Sequence, residues 1–213
     1  MRKKLFKILV AMSITGFVAT SCKKETTDGI SREVKVSYPE ITLKGEELVV
    51  LPVGANYTDQ GAILKDDITG KESDLAPTSD NVDTDVPGLY LVIFSASNAN
   101  GFETTVARRV AVTSVTNTVN RSGTYVRTAT GVSCFVERVS EGVYKVTNPG
   151  GAGIGTNIIV YMVETEKGKY TCPAQPTDAG TMSVTEINFT EGGSTWRVLN
   201  AGYGNGLRTF VKQ

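Results

Sequence analysis

From residue 37 onward, hydrophobic positions do not recur over any long stretch at the three-to-four-residue spacing of an amphipathic helix. They come in short runs rich in Val, Ile, Thr and aromatic residues, broken by Gly and Pro, which is the pattern of an all-β chain. Runs at 40–43, 48–51, 62–65, 82–84, 89–97 and 102–113 predict a first unit over residues 37–115. Six such runs in about 80 residues come close to the roughly seven short strands of an immunoglobulin-like β-sandwich. Residues 89–94 are apolar on both faces, as a central strand is. Asn98 to Gly101 supplies a turn, after which Phe102, Thr104, Val106, Val110 and Val112 share one face while Glu103, Thr105 and Arg109 take the other. The two segments therefore predict a hairpin.

Polar residues from Thr116 lead into a second unit, residues 122–213, with predicted strands at 124–130, 133–139, 143–147, 158–164, 169–172, 184–189, 196–199 and 207–211. The joins are short: Glu141-Gly142, Lys167-Gly168, Glu191-Gly192-Gly193 and Asn205-Gly206. Neighbour-to-neighbour hairpins make an antiparallel β-meander, which must curl or close to protect its edges. The expected shape is a strongly bent sheet or partial barrel of lipocalin-like outline.

Ahead of both units lie a basic start (Arg2, Lys3, Lys4, Lys7), an apolar run from Ile8 to Ala19, and small residues just before Cys22. That order reads as an export signal over residues 1–21. Ala19-Thr20-Ser21-Cys22 resembles the lipobox of bacterial lipoproteins, with Ala19 where Leu is usual. The resemblance implies that the Cys22 thiol is acylated and becomes residue one of the mature protein. A membrane span needs about 20 apolar residues, and this shorter run is followed at once by Lys23 and Lys24. Each buried methylene of an acyl chain adds about 0.8 kcal/mol, so two or three chains tether a protein durably to a lipid membrane. Residues 22–36 are polar and read as a flexible tether.

Composition narrows the chemistry. The chain has 22 basic and 22 acidic residues, and losing the signal removes four basic ones, leaving a mildly acidic mature protein. No cluster of Lys and Arg follows Lys24, so nucleic acid is not an expected partner. The absence of histidine excludes Ser/His/Asp and Cys/His catalysis and the usual imidazole metal sites. Cys134 and Cys172 are read two ways, as a possible disulfide in an oxidising compartment or as two buried free thiols. Asp80, Asp83 and Asp85 lack the remaining ligands of a calcium loop and read as a solvated turn. No paired carboxylates stand out for glycoside hydrolysis. The Gly150 to Gly155 stretch precedes a strand, so it is not a phosphate loop. No enzyme activity, metal or cofactor is expected.

Pro87-Gly88-Leu89-Tyr90, Val92, Ser95-Ala96, Asn98, Asn100-Gly101 and Arg109-Val110-Ala111-Val112 resemble the closing hairpin of bacterial immunoglobulin-like domains related to the hyalin repeat. Gly54, Tyr57, Asp59, Gly61 and the stretch from Asp66 to Gly70 are similar to the upstream part of that pattern. The order of lipobox, immunoglobulin-like domain and Gly-rich meander ending Ala201-Gly202-Tyr203-Gly204-Asn205-Gly206 is similar to Bacteroidota surface lipoproteins found beside glycan-importer genes. This resemblance implies an outer-membrane, lipid-anchored protein on the cell surface, with the periplasmic face as the alternative. It also implies a role near polysaccharide capture.

Sugar sites stack a pyranose ring on an aromatic face and fix its hydroxyls with polar side chains. Trp196 and Tyr203, with Asn205 and Arg208 as polar companions, are the candidate glycan-binding residues. Trp196 shares a strand face with Val198, and the core reading is the favoured one for it because indole usually supplies buried area. Tyr125, Tyr144 and Tyr161, set among Val and Ile, read as structural. The expected function is non-catalytic binding or display of an oligosaccharide or polysaccharide. The alternative is a structural accessory that docks through a sheet edge on an outer-membrane importer or another lipoprotein, without touching sugar.

Overall fold

A computed structural model describes residues 36–213. The expected signal over residues 1–21, the expected lipid attachment at Cys22 and all but the last residue of the expected 22–36 tether lie outside the described residues.

Seven strands form the first part: β1 Glu40–Leu43, β2 Leu48–Pro52, β3 Ala62–Lys65, β4 Glu72–Leu75, β5 Ser79–Asp80, β6 Gly88–Ser97 and β7 Glu103–Thr113. They make two sheets, β1-β3-β4 and β2-β7-β6-β5, the two layers of an immunoglobulin-like sandwich. The hairpin β6–β7 pairs in unbroken register from Gly88↔Val112 to Ser97↔Glu103. β2 adds to β7 in parallel, a long-range pairing. Ala62, Val92, Phe94, Val110 and Val112 fill the space between the sheets.

The strand expected at 82–84 is absent. Asp80 Oδ1 accepts the Val82 amide at 3.0 Å and Asp83 Oδ1 accepts the Asp85 amide at 3.0 Å, so side chains take donors that a ladder would use. β4 and β5 occupy the sheet edges instead. Glu72, Ser73 and Asp74 of β4 are exposed, so nothing apolar marked that strand in advance.

The second part has eight strands: β8 Gly123–Arg127, β9 Ser133–Ser140, β10 Val143–Thr147, β11 Ile159–Glu166, β12 Lys169–Thr177, β13 Gly180–Phe189, β14 Gly193–Leu199 and β15 Leu207–Lys212. Each pairs with its chain neighbours, and β15 pairs back onto β8 through Phe210↔Arg127, Val211↔Val126 and Lys212↔Tyr125. The meander is thus a closed antiparallel barrel and not a partial one, and closure leaves none of its strands with an open edge. Its interior is packed with side chains: Tyr125, Tyr144, Met162, Met182, Trp196 and Phe210 are all at most 2% exposed.

β12 runs well past its expected end at residue 172, through Pro173 and Pro176 to Thr177. A register shift between Cys172 and Gln175 admits the prolines, which cannot donate to a ladder. On the other edge of β12, where backbone pairing with β11 starts only at Val163↔Thr171, the fully buried Gln175 side chain supplies the missing bonds: its Oε1 accepts the Tyr161 amide at 3.0 Å and its Nε2 donates to the Tyr161 carbonyl at 2.8 Å.

Sandwich and barrel share a third apolar cluster, in which Leu89 and Ala111 meet Val143 and Val163. β6 and β7 are therefore covered on both faces, by the sandwich core on one side and the barrel wall on the other. The connecting residues are tied down too, since Tyr144 donates to the Val119 carbonyl at 2.9 Å and Tyr125 to the Arg121 carbonyl at 2.7 Å.

Candidate functional site

In an up-and-down barrel, alternate connections gather at opposite ends. One end holds Glu141-Gly142, Lys167-Gly168 and the turn at 190–192; the other holds 128–132, 148–158, 178–179 and 200–206. The second set is long, neutral and glycine-rich, with Asp178 as its sole charged residue. Glycine is needed there because of close approach. A Cβ on Gly150 would lie 2.4 Å from the Tyr203 ring, and one on Gly155 would lie 2.3 Å from its hydroxyl.

The loop 149–157 is pinned to the barrel from below. Asn148, in the left-handed region at φ 56°, donates from Nδ2 to the Ser133 and Ala152 carbonyls at 2.9 and 3.1 Å. Tyr203 then joins the two long loops, its hydroxyl donating to the Ile154 carbonyl at 3.1 Å. Burial raises the Tyr203 phenol above its ordinary range, with the Arg208 charge opposing.

Beneath the loops lie two arginines. Arg208 pairs across the strands with Trp196 and shares its inward face, and Arg127 likewise pairs with Phe210. Arg208 is 3% exposed, and burial, with the neighbouring Arg127 charge adding to it, lowers its guanidinium below the usual range. Arg127 was not among the expected site residues. The signal was present, because Tyr125 faces inward and strand alternation carries residue 127 inward with it.

The four candidate glycan residues do not form one surface. Trp196 is completely buried; it stacks on Phe210 with centroids 4.3 Å apart and donates from Nε1 to the Pro149 carbonyl at 2.7 Å. Its indole offers no face to a sugar, so the core alternative is the one realised: the inward strand face is where a large apolar ring gains most from burial. Arg208 is likewise inside. Tyr203 is half-buried and Asn205 exposed, and the Asn205 carbonyl accepts from Arg197, which also pairs with Glu186 on the outer wall. The structure therefore brings Tyr203 and Arg208 into direct contact, with Asn205 nearby at the surface and Trp196 below.

Cys134 and Cys172 are both free and buried. They lie on β9 and β12, separated by two intervening strands of a filled barrel, and the possible disulfide is not formed. Burial pushes the Cys134 thiol well up and the Cys172 thiol to about 12. Neither has the character of a nucleophile at neutral pH.

At the seam between sandwich and barrel, a cleft of about 220 Å³ is lined by Glu47, Arg109, Pro176 and Asp178 among others. Its arginine is already committed: Arg109 pairs with Glu47, donates to the Pro176 carbonyl at 3.1 Å and lies over the Tyr161 ring. Among the described residues, Arg127 and Arg208 at the loop-covered end have no acidic partner in salt-bridge range.

No curated protein matches the chain. The solved structure of a lipoprotein from Bacteroides thetaiotaomicron is similar to it at 22% identity and a TM-score of 0.37, covering 82% of this chain and 100% of that one. Residues 41–112 match the family described as bacterial surface protein, Ig-like domain, in agreement with the immunoglobulin-like sandwich of β1 to β7.

Proposed function

We propose that this chain is a lipid-anchored protein of the bacterial envelope that binds glycan without catalysis, using the loop-covered end of its barrel. The observation that carries the reading is the asymmetry of the barrel. One end is rimmed by neutral, glycine-rich loops with a half-buried Tyr203 and an exposed Asn205, a mixed apolar and polar surface of the kind that receives a sugar ring. The anchoring rests on the lipobox-like sequence before Cys22 and agrees with the surface-protein family matched by residues 41–112. Affinity gels cast with a panel of polysaccharides test the binding. Retardation by at least one glycan is expected, and Tyr203→Ala should reduce it severalfold; unchanged mobility on every glycan would end the proposal. Incorporation of radiolabelled palmitate, lost in Cys22→Ala, tests the anchor, and protease shaving of intact cells tests whether it faces outward.

A second reading, docking on an importer or another lipoprotein, draws support from the outer wall of the barrel. Phe135 and Val211 are 51% and 46% exposed there, on the strands that flank β8. Since the barrel has no open edge, edge pairing would fall to the sandwich, whereas wall docking would use these side chains. A stoichiometric partner that co-purifies in the absence of carbohydrate and is lost in Phe135→Ser would favour this reading.

A further inference from the structure

Buried arginines in proteins ordinarily face a carboxylate, because an unpaired charge away from water is costly. This chain follows the rule in its sandwich, where Arg108 lies 2.5 Å from Asp59, and at the seam, where Arg109 meets Glu47. The rule breaks at the loop-covered end of the barrel, where Arg208 is buried and Arg127, part-exposed as a residue, has its Nε buried. Arg127 donates from Nη1 to the Gly150 carbonyl at 3.2 Å; Arg208 donates from Nη2 to the Tyr203 carbonyl at 2.6 Å and from Nη1 to the Gly206 carbonyl at 3.4 Å. All three acceptors are neutral. The Nε atoms of both arginines are buried without any partner, and among the described residues neither side chain has an acidic neighbour in salt-bridge range. The one acid in the four loops at this end, Asp178, lines the seam cleft beside Arg109.

We propose that this end of the barrel is an oxyanion site, in which the guanidinium groups of Arg127 and Arg208 receive a carboxylate or sulfate beneath the loops 149–157 and 200–206. A guanidinium presents a planar fork of donors that matches such a group, and two forks on neighbouring strands supply the charge that the chain itself leaves unanswered. The Nε–H groups are the free donors. The covering loops are held together from side chain to backbone by the Tyr203 hydroxyl on the Ile154 carbonyl, and the Tyr203 ring fills the space that Gly150 and Gly155 leave for it. The anion is either the acid group of a saccharide or a free inorganic ion. The saccharide form rests on the glycan-binding reading above, and the oxyanion site itself does not.

Titration calorimetry on the full chain, with oligogalacturonate, its fully methyl-esterified form and sodium sulfate as probes, separates these cases. The acid oligomer is expected to bind and its ester not, with affinity falling as salt rises. Arg127→Gln should weaken binding at least tenfold. Arg208→Lys, which keeps the charge but loses the fork, should weaken it severalfold; circular dichroism checks that each variant folds. Sulfate binding as tight as the oligomer, and equally sensitive to Arg127→Gln, would support the site with a free oxyanion as its ligand. Ester bound as well as acid would overturn the proposal while leaving glycan binding in place. So would affinity for the acid unchanged in folded Arg127→Gln, or no binding of either anion by the unaltered protein.

Discussion

The Nε of Arg109 lies 3.3 Å from Oε1 of Gln175, so a single hydrogen bond ties the last strand of the sandwich to the amide that stands in for a missing ladder in the barrel. Gln175 also carries both bonds to the Tyr161 backbone, and Arg109 lies over the Tyr161 ring at 5.2 Å. The seam between the two parts is thus polar here and at Thr113, whose hydroxyl donates to the Glu164 carbonyl at 3.3 Å, and apolar at Leu89, Ala111, Val143 and Val163. Gln175→Leu strands a buried N–H and a buried C=O, at a cost of about 1–3 kcal/mol for each group left unsatisfied. Urea unfolding should show that loss. Arg109→Ala should cost less in stability but speed proteolytic cutting between residues 113 and 123, and an unaltered digestion rate would show that the apolar contacts suffice.

Arg108 and Asp59 form the charged centre of the sandwich. Both side chains are under 10% exposed, and Asp59 also accepts from the Tyr57 hydroxyl and the Gly61 amide, each at 2.6 Å. Burial alone would raise the Asp59 carboxyl, but Arg108, Tyr57 and the Gly61 amide together hold it below the usual carboxylate range. A depressed acid contributes stability that is fully present above its unfolded value, about 3.9, and is lost as pH falls through the lower folded value. Acid unfolding should therefore retain a protective step below pH 4 that disappears in Asp59→Asn. Removing one partner, as in Asp59→Ala, should cost about 3–5 kcal/mol, because it leaves a buried guanidinium alone.

The two thiols give a direct reading of barrel integrity. In folded protein neither Cys134 nor Cys172 should react with a disulfide reagent at pH 8 over minutes, since both are buried and burial holds both thiols protonated. In denaturant both should react at once. Fast reaction of one thiol under native conditions would mean that its strand opens locally.

Trp196 is the sole tryptophan, so fluorescence reports on the barrel core alone. Its indole touches Phe210 and Phe189 and is fully buried, which predicts blue-shifted emission and little quenching by iodide. Trp196→Ala should cost about 3–5 kcal/mol by opening a cavity in a filled interior. Saccharide binding at the loops should change the emission only slightly, as no ligand reaches the ring.

Much of this architecture was legible from alternation. Period two put Val110 and Val112 in the sandwich core and placed the β6–β7 hairpin within a residue or so of its observed ends. Arg108 escaped notice because it falls on that same inward face, where a charge is tolerated only when a partner 49 positions earlier reaches it. β4 escaped because an exposed edge strand buries nothing and so needs no apolar pattern. β12 runs past its expected end at residue 172 because the Gln175 side chain supplies Tyr161 with the bonds that the backbone ladder does not, which no local pattern announces.

What the order of residues determined by itself was the all-β class, the hairpins and the turns, since these follow from local conformational preference and from burying one face of each strand. The tertiary structure alone decided which faces were inside. Closure of β15 onto β8 turned Trp196 from a candidate sugar platform into core, and the same closure put Arg127 and Arg208 side by side under two neutral loops. The distance between residues 127 and 208 along the chain hides that meeting, because a barrel brings its first and last strands together only when the sheet shuts.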